Sequence, residues 1–188
     1  MARPKSDVKR NAIMGAATRV ILTQGLSAPT ATIAHEAGIS NGLLFTYFES
    51  KADLFNQLFL ELKTEMVAAA LEGFPHDADL RKQMLHAWSN WTHWATSNPE
   101  KRGAFMRLST SVEITPATRA VGGQIMQRLD SLVEKVRSKG PLHNVEPEFV
   151  LSLMNALAEA TMDSMIRDRA HAKKHSKIGF ETFWRALT

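Results

Sequence analysis

Between Ser40 and Lys51 the chain reads Ser-Asn-Gly-Leu-Leu-Phe-Thr-Tyr-Phe-Glu-Ser-Lys, which collects hydroxyls, an amide, an ammonium and three aromatic rings. These groups suit recognition rather than bond making: they donate and accept hydrogen bonds, and the rings pack. If a short helix covers 41–48, Ser40 caps it by accepting a backbone N–H. Leu44 and Phe48 then lie one turn apart and face inward. Asn41, Gly42, Leu43, Phe45, Thr46 and, at the margin, Tyr47 remain outside. Such a face fits a groove lined with phosphates and base edges. The Asn41 amide matches an adenine edge, Phe45 packs on a thymine methyl or a sugar, the Tyr47 hydroxyl reaches a phosphate, and Gly42 lets the backbone come close.

Other constellations carry less. His35-Glu36 opens like a zinc-protease motif, but Ile39 stands where its second histidine belongs. His171 and His175 are four apart and His86 and His93 seven apart, without a third ligand that spacing can place. There is no cysteine, hence no disulfide framework and no thiolate metal site. No Ser/His/Asp order, Gly-rich phosphate loop or carboxylate pair stands out. The expectation is a protein that is not an enzyme, with no catalytic residues, no metal and no cofactor.

The elements that must hold the 40–51 segment read as helices throughout. A first helix, capped by Ser6, carries Ile13, Ala16, Ala17, Val20 and Ile21 on one stripe and stops at Gly25-Leu26 in a Schellman-type end. A short helix over 29–37 places Ile33 and Ala34 inward. Gly38 supplies a tight bend, and Ile39 plugs it. Ser50 and Asp53 form a capping box for a long helix with Phe55, Leu58, Phe59, Leu62, Met66, Val67 and Ala70 on one face, ending near Gly73. Prolines at 99, 116 and 147 open later helices, the second reaching Lys139 and the third about Arg169; a last helix covers 178–187. The spacing over 29–48 is that of a helix-turn-helix.

Apolar residues make up 44% and charged residues 22% of the 188-residue chain, a globular balance. Net charge is +4. Part of it sits at the start, where Arg3, Lys5, Lys9 and Arg10 face only Asp7, an arm suited to phosphate. A second cluster, HAKKHSK at 171–177, reads as a helix end or loop where cations meet the negative pole of a helix dipole. The start lacks the apolar core of a signal peptide, and the longest apolar run, 66–71, is too short to span a bilayer. A cytoplasmic setting and no membrane partner are expected.

Residues 33–51, IAHEAGISNGLLFTYFESK, resemble the DNA-binding signature of the TetR family of transcriptional regulators: an Ile-Ala, an Ala-Gly-Ile-Ser turn, a Gly-x-Leu-Phe-x-Tyr-Phe recognition helix, then Ser-Lys. The resemblance implies an all-α fold of about nine helices. A helix-turn-helix head (1–50) would precede a connecting helix (51–73) and a larger effector-binding and dimerisation domain (74–188). It implies a ligand-responsive repressor, dimeric on palindromic double-stranded DNA. Carried onto this chain, the phosphate-contacting lysine falls on Lys51, a phosphate-binding threonine on Thr30 and a tyrosine pair on Phe45 and Tyr47. Phe45 lacks the hydroxyl, and Asn41 stands where a lysine is frequent. With Ser40, Gly42, Leu43 and Thr46 these make up the expected DNA-contact set.

The resemblance also implies a small effector. Met84, Trp88, Trp91, Phe105, Met106, Met126 and Met154 supply surfaces that suit a small apolar or aromatic molecule; filling a core is the other use of the same residues. Val150, Leu157, Thr161 and Met165 form one stripe near the end of the chain, and Phe180, Phe183 and Trp184 another. These either meet a second copy in a four-helix interface or are buried within the monomer. A helical sensor or carrier working through protein partners, without DNA, is the rival reading.

Overall fold

The computed structural model describes residues 5–188, with side chains from Asp7 onward; Arg3 of the cationic start lies outside the described residues. Nine α-helices follow one another: α1 Lys5–Gln24, α2 Thr30–Glu36, α3 Asn41–Leu44, α4 Lys51–Leu71, α5 Leu80–Ser97, α6 Pro99–Ser109, α7 Pro116–Arg137, α8 Pro147–Arg167 and α9 Ala172–Leu187. A single 3₁₀ turn, Arg169–His171, precedes α9, and among the described residues there is no strand.

Helix ends follow the local chemistry. α1 begins at Lys5, one residue ahead of the expected cap Ser6. Gly25 (φ +86°) ends it by donating to the Ile21 carbonyl at 3.0 Å, the single-bond left-handed stop rather than the Schellman pair. Asp79 caps α5 by accepting the Lys82 N–H at 2.9 Å, and that bond, first among its causes, lowers the Asp79 pKa. α3 is shorter than the 41–48 reading. Beyond Leu44 the chain continues in turns, with Thr46 and Tyr47 donating to carbonyls three residues back. α9 begins six residues earlier than expected because its apolar stripe starts only at Ile178, while its first turns are polar. The lysines of 171–177 therefore sit at the positive pole of α9, reversing the expected match with a helix dipole.

The chain packs as two units. Unit 1 holds residues up to Lys63 together with Pro99–Gly122; unit 2 holds Thr64–Asn98 with Gly123–Thr188. The chain thus passes between units three times, within α4, between α5 and α6, and within α7. In unit 1, Ile13, Ile21, Ile33, Leu44, Phe48, Phe55 and Leu58 form a dry core. α6 lies against α1 at Gly103, where a Cβ would fall 2.6 Å from Leu22. Arg107 donates to the Ile21 carbonyl at 2.9 Å, satisfying the end of α1.

In unit 2, α5, α8 and α9 pack together. Gly179 permits the α8–α9 approach, since a Cβ there would meet Thr161 Oγ1 at 2.2 Å. Val150, Thr161, Met165, Phe180 and Phe183 are buried within the chain itself, and Leu157 and Trp184 partly so. The stripes considered for a dimer are thus largely used inside the monomer, leaving Phe149, Leu153 and Ile178 outward. Arg137, only 7% exposed, pairs with Glu134 and donates to the carbonyls of Leu142, His143 and Val145 at 2.9–3.1 Å. This one guanidinium fixes the α7–α8 connection. Arg137→Ala should lower stability by about 2–3 kcal/mol, read by urea unfolding, while Lys135→Ala on the exposed side changes little.

Candidate nucleic-acid interface

The outward segment is set by the bend before it. Ile39 donates to the Ala34 carbonyl and Gly38 to that of His35, both at 3.0 Å, the paired bonds of a Schellman stop. Gly38 takes φ +69°, the left-handed region that glycine enters without strain. Ser40 then caps α3, its hydroxyl oxygen accepting the Leu43 N–H at 3.2 Å. At the far side Ser50 accepts the Asp53 N–H, and the Asp53 carboxylate accepts the Glu49 N–H, each at 3.0 Å. Asp53 also accepts from the Gln57 amide. The Gln57 oxygen accepts from Arg10, which pairs with Glu61 at 2.8 Å and lies 5.9 Å from the Phe48 ring centre. A polar chain from α1 to α4 thereby braces the segment.

Leu44 and Phe48 are anchored in the core at 0% and 1% exposure, as the spacing predicts. Ser40, Asn41, Gly42, Phe45 and Thr46 are exposed, Leu43 and Thr30 half-buried. Tyr47 is half-buried against the core, so its ring anchors as well as faces outward. The Thr46 hydroxyl donates to the Leu43 carbonyl at 2.8 Å and offers only lone pairs outward until it rotates. Lys51 opens α4 with its Nζ 5.4 Å from the Phe55 ring centre, which steadies the stem and leaves the ammonium three N–H donors.

Unit 2 holds an apolar cavity of about 50 Å³. Met84, Trp88, Trp91, Met126 and Met154 are among the residues that line it. Phe105 and Met106 do not. Phe105 stacks on Phe59 in unit 1 at 5.3 Å between centroids, and Met106 is exposed, because α6 packs on α1. The sequence reading missed Met66 and Ala70 of α4, Leu132 of α7 and Phe183 of α9; the i, i+4 pair on α4 had been visible only as core. Trp88 stacks on Phe183 and donates its indole N–H to the Ser176 carbonyl at 3.0 Å, so its polar edge is satisfied. Drug-sized ligands need about 300–1,000 Å³. As it stands this cavity is therefore too small for such a ligand, and its four methionines are the side chains most able to give way.

Three of the four paired histidines have other partners. His171 and His175 both meet the Asp168 carboxylate, at 3.0 and 3.1 Å, and the bonds from His175 and then His171 lower the Asp168 pKa. His86 bonds the Glu72 carbonyl. Among the described residues no set of three His, Cys, Asp or Glu is arranged to hold a metal ion, and no helix is long and apolar enough to cross a membrane.

A braced helix-turn-helix with an exposed tip, set in an all-helical chain, defines a DNA-binding transcription regulator. Residues 13–58 match the profile of the bacterial regulatory proteins of the tetR family. A crystal structure of a protein assigned to that family, from Shewanella sp. PV-4, superposes with a TM-score of 0.85 at 27% identity, over 95% of this chain and 97% of that one. A TetR family transcription regulator from Marinobacter aquaeolei VT8 shares the fold with a TM-score of 0.83 at 23% identity, covering 99% and 98%. The nucleoid occlusion factor SlmA of Shewanella woodyi is 24% identical over 190 residues, 97% of this chain and 94% of its own. Residues 13–58 thus match the DNA-binding part of the TetR family, and the whole chain shares the fold of transcription regulators assigned to it.

Two glycines separate folding from recognition. A Cβ on Gly42 would meet nothing within 4 Å, so Gly42→Ala should keep or raise stability by about 0.5 kcal/mol yet weaken DNA binding tenfold or more. Gly38→Ala should lower stability by about 1–2 kcal/mol. Thermal unfolding and gel shifts on both variants check the pair.

Proposed function

We propose that this protein is a repressor whose operator binding is relieved by a small apolar or aromatic effector. In this reading two copies bind a palindromic double-stranded DNA site, with their recognition segments about 34–36 Å apart. Residues 1–50 contact DNA, with Thr30, Asn41, Phe45, Thr46, Tyr47 and Lys51 meeting phosphates and bases. Residues 51–73 transmit the signal, and 74–188 sense the effector and hold the dimer through the outward faces of α8 and α9.

One observation carries the reading. α4 is a single helix that starts at Lys51 beside the recognition segment and lines the apolar cavity with Met66 and Ala70. From Lys51 to Met66 is about 22 Å of helical rise. An effector larger than this cavity must part its walls, and α4 is one of them. A tilt of about 5° over that length displaces the far end by about 2 Å, enough to break hydrogen bonds to phosphate. Coupling of this kind is reciprocal: an effector that weakens DNA binding tenfold is itself bound tenfold more weakly by the DNA complex.

Gel shifts on the DNA upstream of the gene test the reading. A salt-sensitive, sequence-preferring complex is expected, lost in Thr46→Ala/Tyr47→Ala, whose circular dichroism stays unchanged. Absence of such a complex at any protein concentration would count against repression. Apolar effectors should dissociate the complex and perturb tryptophan emission through Trp88 and Trp91. Ala87→Val adds two methyl groups to the cavity lining; it should leave DNA affinity intact and raise the effector concentration for release at least tenfold.

A further inference from the structure

A second, polar concavity lies in unit 2, on the side of α5 facing the start of α9. It is an open cleft of about 1140 Å³. One wall is α5, with Ser89, Asn90 and His93; the other is the 3₁₀ turn and the first turns of α9, with Arg169, Lys173, Lys174 and Lys177. Glu181, the one carboxylate of the lining, is paired with Arg81. Asp168, nearby in the chain, is occupied by His171 and His175. None of the four cations has an ion-pair partner among the described residues.

Folding alone does not favour this arrangement. Lys173 and Lys177 stand four residues apart on α9, where like charges repel, and Arg169 precedes them in the 3₁₀ turn. Lys173 and Lys174 occupy the first turn of α9, where the helix dipole disfavours cations. The net positive field of the cleft is therefore an unsatisfied charge maintained at some cost, a pattern that fits a site for an anionic partner. The lining also includes Leu85 and Met165, so some apolar contact accompanies the charges. The cations are strung over about 12 Å, the length of about four extended residues. An open trough leaves a small anion largely in water, whereas an extended chain gains contacts along its length.

We propose that this cleft docks an acidic peptide segment of a partner protein, its carboxylates on the lysine rim and an apolar side chain on Leu85 and Met165. The test uses the full-length protein and a fluorescein-labelled ten-residue peptide of alternating glutamate and leucine, followed by anisotropy at low and high salt. Saturable binding that weakens with salt is expected. Lys173→Glu/Lys177→Glu should weaken it tenfold or more. That variant should also melt no lower than the parent, since it places an acid at the favoured end of α9, and should shift upstream DNA normally. Equal peptide binding by parent and variant would overturn the proposal. So would displacement of the peptide by upstream DNA, which would put it on the head, or by ATP at lower concentration, which would make the cleft a small-anion site. Loss of DNA binding in the variant would equally overturn it, marking the rim as nucleic-acid surface.

Discussion

The left-handed backbone at Gly38 is the constraint on which the recognition surface depends. A right-handed residue there would carry α2 onward and bury or misdirect everything after it. With the bend made, Ile39 plugs the core, Ser40 caps the next turn, and Leu44 and Phe48 fall inward as a consequence. The outward set is what remains. Arg10 and the Asp53–Gln57 bridge then hold the segment against α4, so that the recognition tip and the long helix are braced together. Function here is written first as backbone geometry and only second as side-chain chemistry.

The cavity of unit 2 obeys a different logic. It is lined by side chains from α4, α5, α7, α8 and α9, and its shape is decided by methionines with many rotamers rather than by a rigid frame. A head that must present fixed atoms needs caps and bridges. A sensor of the kind proposed for unit 2 must admit a guest, and soft packing suits that.

Much of the head was legible because its determinants are local. A glycine followed by an apolar residue, a serine three positions before a free N–H, and an apolar pair one turn apart each announce their structure within a few residues. The C-terminal part was legible as helices but not as packing. Phe105 and Met106 were assigned to the cavity because aromatic and methionine residues suit one. That α6 lies on α1 instead follows from Gly103 against Leu22, a contact between positions about eighty residues apart that no local pattern encodes. Phe180 and Phe183 were candidates for a partner because nothing in the sequence told where Gly179 would bring α9 onto α8. The start of α9 was missed for a simpler reason: its first turns carry no apolar period, so the helix signal began where the burial began.

The small volume of the cavity has a thermodynamic corollary for the sensing proposed here. An effector admitted only while the lining stands open binds a minor population, so its apparent dissociation constant is the intrinsic one divided by the open fraction. The threshold concentration at which such a protein responds is then a property of its own breathing as much as of the guest. Natural variation in one methionine of the lining would retune that threshold through the open fraction as well as through contacts to the molecule sensed.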